Sequence, residues 1–347
     1  MLQQPETPPV DTSDRTTIET VARLAGVSIS TVSRVLNNRD RVNYRTRERV
    51  LRAIRDLKYQ PSILARGLAK QKTHNLGFVI PHLSDPYYMG IVQGVEEVAS
   101  EQGYGLLVWS RPQSTLQFFS QQRVDGLVVV GTAFSKADLK VLSHKSFPVV
   151  VIQQDTSGGV PSFRVDNYAG ARSMAEHLIS HGYTRIGYIA GSDNTPDNAD
   201  RHRGLSDVLQ EQGLEACRLA KGDYTYESGY RAAEELLNLD PRPQAIFAAN
   251  DQMASAALLA AQNRGLLVPE DLAVVGFDDI PQSAYSSPPL TTVRQPTRDL
   301  GYLATRTLLS LIEGADKARP QRVELPVELI VRRSCGCLMS ASPPKAR

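Results

Sequence analysis

Two kinds of hydrophobic rhythm run along the chain, and they change over near residue 75. In the first stretch apolar residues recur every three or four positions. Ile18, Val21, Ala22 and Ala25 share one helical face behind Thr17, a residue type that can cap the first free N–H groups of a helix. Gly26 breaks that helix, and Ser28 is placed to cap a second one. There Val32, Val35 and Leu36 form the apolar face and leave Ile29, Ser30, Thr31, Ser33 and Arg34 over. A third amphipathic helix over about 46–57 turns Val50, Ile54 and Leu57 inward. Two short helices joined by a Gly-containing turn, backed by a third, predict an all-α helix-turn-helix head over 15–59. The second helix of such a head fits the DNA major groove.

From Leu76 onward short apolar runs alternate with helical stretches: LGFVI, then 86–102; YGLLVW; GLVVVG, then 136–146; FPVVVI; RIGYIAG, then 201–213; QAIFAA, then 251–264; LAVVGF. This alternation predicts an α/β body with parallel, doubly wound sheets. The span 75–337 is too long for one small sheet, so two similar subdomains with a cleft between them are expected. In open α/β sheets ligands bind beyond the carboxyl ends of the strands. The residues there are Tyr87 and Tyr88 after LGFVI, Gln153 after FPVVVI, Arg201 beyond RIGYIAG and a polar loop, Tyr224 after Gly222-Asp223, Asn250 after QAIFAA and Asp278 after LAVVGF. Aromatic faces, an Arg, an Asn and an Asp converging on one cleft suit a polar small molecule, with rings against C–H faces and bidentate groups on vicinal hydroxyls. Taken singly, each tyrosine could equally pack a core, and Arg201 with Asp278 could be a structural ion pair.

Charge divides the chain at the same place. Residues 15–72 hold eleven Arg and three Lys against four acids, a net of +10, although the whole 347-residue chain carries only +2; the rest is therefore at −8. A basic head before an acidic body suggests one part that meets a polyanion and another that does something else. At 41% hydrophobic and 22% charged the composition excludes a wholly disordered or collagen-like chain. No apolar run approaches the roughly 20 residues of a membrane span, and the first fourteen residues lack the features of an export signal. Three cysteines cannot all pair, so a reducing cytoplasm fits best. Residues 1–14 and 338–347 read as disordered tails. Between head and body, 60–74 reads as a hinge. Pro61-Ser62 can start a short helix that Gly67 weakens, and Leu68 is suited to wedging between base steps in the minor groove or to packing on a neighbouring subunit.

The runs TIETVARLAGVSISTVSRVLNN and RERVLRAIRDLKYQPSILARGLAKQ resemble the DNA-binding head and hinge of the lactose/galactose repressor (LacI/GalR) family. The resemblance implies that Ile29, Ser30 and Arg34 read bases, that Thr17, Ser28, Thr31, Ser33 and Asn37 join them at the DNA, and that Leu68 enters the minor groove. The body is similar to the effector-binding core of these repressors, which resembles periplasmic sugar-binding proteins. By motif, Tyr87 and Tyr88 match its aromatic pair, Arg201 the Arg three residues before Gly204, Tyr224 the aromatic after Gly-Asp, Asn250 the Asn of NDxxA, Asp278 the Asp of GFD, and Gln295, in LTTVRQ, a cleft-facing position. The implied function is a homodimeric transcriptional repressor. It binds a pseudo-palindromic operator on double-stranded DNA and is released or recruited by a small polar effector, a sugar or sugar derivative, with no cofactor and no membrane partner. Two departures stand out: the chain is short between Trp109 and Val124, and Gln153 occupies a place where sugar-responsive members often carry Asp or Asn.

An enzyme is the main rival class. No G-x-G-x-x-G, G-x-x-x-x-G-K-[ST] or G-x-S-x-G occurs. Asp278 and Asp279 are adjacent, so they do not share one face as a carboxylate dyad would, and Asp279 reads as a cap for the following turn. His177 and His181, four apart on a helix, could suit a metal but lack a third ligand nearby in sequence. Cys335-Gly336-Cys337 reads as a buried cysteine beside a flexible tail. A periplasmic receptor fits the body but not the basic head. An architectural DNA-binding protein fits the head but has no need of a polar cleft. With no leucine heptad after LPVELIVRRSCGC, a dimer rather than a tetramer is expected.

Overall fold

The computed structural model describes residues 17–36, 42–59, 72–110, 124–144, 147–154, 156, 159–193, 195–314 and 322–337, and the chain divides between Thr73 and His74 into two units. Asn37, Leu68, most of the 60–74 hinge, both tails and the shortened stretch after 110 lie outside the described residues.

In the first unit three helices, α1 (Ile18–Ala25), α2 (Ile29–Leu36) and α3 (Tyr44–Asp56), share a core of Val21, Ala22, Ala25, Val32, Val35, Val50 and Ala53. Helices this short are marginal in isolation, so burial of this common face holds them. Gly26, at φ +62°, supplies the left-handed residue that ends α1, with the Gly26 and Val27 N–H groups donating back to Arg23 and Ala22 carbonyls. Ser28 caps α2, its hydroxyl accepting from the Thr31 N–H at 3.3 Å. Thr17 departs from expectation: it makes no side-chain cap bond, and its hydroxyl lies 3.3 Å from that of Thr20. The third helix starts earlier than its apolar period suggests because Asn43 caps it through the Thr46 N–H at 3.1 Å.

In the second unit β1 (Asn75–Ile80), β2 (Gly105–Ser110), β3 (Gly126–Val130), β4 (Val149–Ile152), β5 (Ser162–Val165) and β11 (Arg322–Leu325) form one sheet, ordered β11-β5-β4-β3-β1-β2. A second sheet takes β6 (Ile186–Ala190), β7 (Arg218–Lys221), β8 (Ala245–Ala248) and β9 (Ala273–Val275) in the order β7-β6-β8-β9. All pairings in both are parallel. Central strands are apolar at every position because both faces are covered. In the first sheet, alternate residues divide between two cores: Phe78, Val128 and Val150 pack with α4 (Tyr87–Glu101) and α10 (Thr297–Ile312), and Val79, Val129 and Val151 with Leu139 of α5 (Lys136–His144). A third core gathers α6 (Asn167–Ser180), α7 (Pro196–Glu211), α8 (Tyr226–Leu237) and α9 (Asp251–Asn263) on the other sheet.

The chain passes between the two sheet-centred subdomains three times. It crosses after β5 into α6, returns from β10 (Thr292–Arg294) into α10, and crosses again from β11 into β12 (Glu328–Ile330), which pairs antiparallel with β10. Helices α4 and α10 touch backbone to backbone: a Cβ on Gly94 would overlap the Arg298 carbonyl, and one on Gly301 the Ile91 carbonyl.

Several expectations are corrected. Arg201 lies within α7, which Pro196 starts, and not at the end of a loop. The LAVVGF run is strand only over Ala273–Val275. Asp279 caps nothing; its carboxylate accepts from Arg294 Nε at 2.7 Å and from Arg332 at 2.6 Å, tying β10 to the segment after β12. The histidines His177 and His181 do have further ligand-type neighbours, since the fold brings Cys335 and Cys337 beside them.

Candidate ligand cavity and DNA-reading face

The carboxyl ends of the strands in both subdomains open onto one cavity of about 150 Å³, the size that holds a single six-membered ring. Tyr87, Tyr88, Gln153, Arg201, Tyr224, Asn250, Asp278 and Gln295 all line it. A relay of hydrogen bonds crosses from the first subdomain to the second. The Gln153 amide donates to the Tyr87 hydroxyl (2.6 Å), the hydroxyl donates to Gln295 Oε1 (3.0 Å), and the Gln295 amide donates to Asp278 Oδ1 (2.6 Å). Asp85, in the loop before α4, accepts a second bond across the cleft from the Gln252 amide of α9 at 3.0 Å.

Arg201 is held from several sides. Its Nε donates to Asn167 Oδ1 at 2.7 Å, one terminal nitrogen donates to the Ala249 carbonyl, Asp278 Oδ1 stands 3.7 Å away, and its plane lies 3.8 Å from the centre of the Phe277 ring. Arg201 and Asp278 are thus both a buried ion pair and part of the cavity wall. Asn250 is different: its Oδ1 caps α9 by accepting the Met253 N–H (2.9 Å), and its amide donates to the Tyr224 carbonyl (3.0 Å). Both ends of its amide are bonded to the protein, so it positions Tyr224, whose hydroxyl lies 3.0 Å from that of Thr195.

Burial lifts the Asp278 carboxyl well above the ordinary carboxylate range; Arg201 pulls it back only in part, and Asp251 and Asp85 add to the rise. Burial also pushes the Tyr224 hydroxyl up to about 12, so the tyrosines are neutral donors. Six residues other than Gly have positive φ among the described residues, and three of them, Gln153 (+57°), Tyr224 (+72°) and Asp278 (+123°), line this cavity. Each such conformation costs about 1–3 kcal/mol and persists where the surroundings enforce it, as they do at binding sites.

Sequence reading assigned no part to Asp251, Asp85, Asp197, Thr195 or Asn167. Asp251 is the hub: it accepts from Ser283 Oγ (2.6 Å), Thr292 Oγ1 (2.6 Å) and the Ile280 N–H (3.1 Å), fixing the loop that joins Asp278 to Gln295. Burial raises its carboxyl to about 7 against those bonds. The signal for it lies in the NDxxA motif, whose Asp directly follows the capping Asn250. Asp85, Asp197 and Thr195 line the cavity directly; Asp85 stands just ahead of α4, Thr195 is the N-cap residue of α7 and Asp197 lies in the first turn of α7.

On the head, Ile29, Ser30 and Arg34 are exposed on α2, while Thr31 and Ser33 are half-buried; Thr17 and Ser28 are also exposed. The Ser28 hydroxyl lies 2.9 Å from the hydroxyls of both Ser30 and Thr31, forming a polar cluster at the helix start. Short polar groups followed by an Arg one turn later form the kind of face that reads base edges.

A two-subdomain parallel body around a polar, ring-sized cavity, in one chain with a helix-turn-helix head, is the build of a ligand-binding regulator of transcription. Residues 17–62 match the family model described as "Bacterial regulatory proteins, lacI family", and residues 175–335 that of a "Periplasmic binding protein-like domain". The HTH-type transcriptional regulator DegA of Bacillus subtilis is 35% identical, with 92% of this chain and 98% of that protein covered. The ribose operon repressor of Halalkalibacterium halodurans is 36% identical, over 92% and 97%. Among solved structures, the lac repressor dimer bound to operator and the anti-inducer ONPF superposes with a TM-score of 0.80 at 30% identity, over 92% of this chain and 99% of that one. The chain belongs to the lacI family of bacterial regulatory proteins and is a DNA-binding transcription regulator. No helix among the described residues is long and apolar enough to cross a membrane.

Proposed function

We propose that this regulator is a cytoplasmic repressor that acts as a homodimer, holding the two half-sites of a pseudo-palindromic operator, and that an uncharged, polyhydroxylated ring of monosaccharide size sets its grip. It binds that effector without transforming it. The observation that carries this reading is the character of the cavity wall. Four carboxylates (Asp85, Asp197, Asp223, Asp278) face the space against one guanidinium, that of Arg201, which is already bonded to protein groups. Such a wall accepts hydrogen bonds from hydroxyls and repels phosphates. The aromatic pair Tyr87–Tyr88, edge to face with centroids 5.4 Å apart, offers ring surface to C–H groups. The lac repressor structure with operator and the ribose operon repressor support the same assignment by kinship.

On DNA, Ile29, Ser30 and Arg34 would meet base edges, with Thr17, Ser28, Thr31, Ser33 and Asn37 completing the contact and Leu68 entering the minor groove. Two-fold symmetry in the protein requires a two-fold operator. The test is a thermal-shift panel on the full chain with neutral monosaccharides, cyclic polyols and sugar phosphates. A neutral ring at 100 times its Kd adds about 2.7 kcal/mol of stability. A response to the phosphorylated sugars alone would overturn the assignment of ligand class.

A further inference from the structure

Four side chains from distant parts of the second unit meet just beyond β12. His177 lies in the last turn of α6, and His181, four residues on, is its C-cap residue, so the two imidazoles project on the same side with ring centroids 4.8 Å apart. Cys335 and Cys337 follow β12. Their segment is pinned by the Val274 N–H donating to the Ser334 carbonyl and the Thr291 N–H donating to Ser334 Oγ, both at 2.9 Å. Gly336, at φ +91°, turns the chain so that both sulfurs point back toward α6, and a Cβ there would stand 3.0 Å from the Tyr183 hydroxyl. His177 Nε2 lies 3.2 Å from Cys335 Sγ and 3.8 Å from Cys337 Sγ; His181 Nε2 lies 3.0 Å from Cys337 Sγ. All four donor atoms fall within 4.8 Å of one another.

We propose that His177, His181, Cys335 and Cys337 form a structural site for a zinc-class divalent ion that staples the segment after β12 to α6. With Zn–N near 2.0–2.1 Å and Zn–S near 2.3 Å, the edges of a tetrahedron of two nitrogens and two sulfurs measure about 3.3–3.8 Å. The observed nitrogen–sulfur separations bracket that range, so small rotations of the side chains complete the tetrahedron. Two thiols and two imidazoles select zinc-class ions over magnesium or calcium, which take oxygen ligands. Four protein ligands close the coordination sphere, which is the mark of a structural rather than a catalytic site. The Thr291 hydroxyl, donating to Cys335 Sγ at 3.1 Å, supplies the outer hydrogen bond that such sulfurs receive. None of the four residues lines the ligand cavity, so the site is separate from effector binding. On binding, the ion displaces the two thiol protons to solvent with no change in oxidation state.

The test is to purify the full chain under reducing conditions, load it with one equivalent of Zn²⁺ or Co²⁺, and record both metal content and the cobalt spectrum. The expected result is one ion per chain, a sulfur-to-cobalt charge-transfer band and the intense visible bands of a tetrahedral centre. Zn²⁺ should bleach these, and they should be lost in C335S/C337S. Chelation should lower Tm and expose the C-terminal segment to carboxypeptidase. The wild-type spectrum stands whether or not the double variant folds. A reduced chain that takes up no Co²⁺, gives weak octahedral bands, or keeps its tetrahedral spectrum in a folded C335S/C337S variant overturns the site. So does a Cys335–Cys337 disulfide whose reduction yields no metal-binding centre.

Discussion

Replacing Asp278 by Asn separates what the cavity does for the fold from what it does for the ligand. The change keeps shape and leaves Oδ1 free to accept from the Gln295 amide, as it does now at 2.6 Å. It removes a charge lying 3.7 Å from Arg201, which retains Asn167, the Ala249 carbonyl and the face of Phe277. The loss of stability should therefore fall short of the ~3–5 kcal/mol that breaking a buried ion pair costs. Ligand hydroxyls donating to the carboxylate should each be worth about 1.5–3 kcal/mol, so effector affinity should fall about 10- to 150-fold. Linkage adds a second readout. Because the folded carboxyl holds its proton above the ordinary Asp range, its contribution to stability is greatest in acid and is lost as pH rises through the folded value. A ligand that donates to the charged form makes it release that proton, so affinity should rise with pH in the wild type and stay flat in D278N. Isothermal titration in two buffers of different ionisation enthalpy measures both. An unchanged Kd and an unchanged pH profile in D278N would refute the role given to Asp278.

Other expectations follow from the same geometry. Arg201→Ala should destabilise the body by about 3–5 kcal/mol, because it strands Asp278 in a buried site; a urea midpoint near wild type would contradict the network described. Gly94→Ala forces a methyl into the Arg298 carbonyl and should cost ~1–3 kcal/mol by separating α4 from α10, read by chemical denaturation. Asp251→Ala leaves three donors unpaired and should lower Tm as well as weaken effector binding, since the loop between Asp278 and Gln295 loses its anchor. Arg34→Ala, on an exposed helical face, should leave Tm unchanged while costing ~1–3 kcal/mol at one operator base pair, seen as relaxed preference there in a selection from random duplexes.

Sequence carried the outline of the head and of the sheets because each of those elements states its burial in its own pattern. Val21, Val32 and Val50 each sit on the apolar face of their own helix, and β3 and β4 are apolar throughout. Elements whose burial depends on distant partners were silent. The four residues of β7 are mostly exposed, and Arg164 of β5 bonds Glu324 on β11, 160 positions away. In the same way the cavity's first layer follows from strand ends, whereas Asn167 acts by holding Arg201, 34 positions away, and carries no local signature. The His–Cys cluster joins positions more than 150 apart, so neither half could point to the other.

The central claim is that a duplex held by the head is released or gripped according to what fills the cavity. Fluorescence anisotropy of the full chain on a duplex selected from a random pool, with and without the neutral sugar that raises Tm most, tests it directly. The account predicts salt-sensitive, sequence-specific binding whose Kd moves at least tenfold when that sugar is added. A chain that ignores every duplex at low ionic strength, or whose operator affinity is the same with the cavity filled, would contradict it.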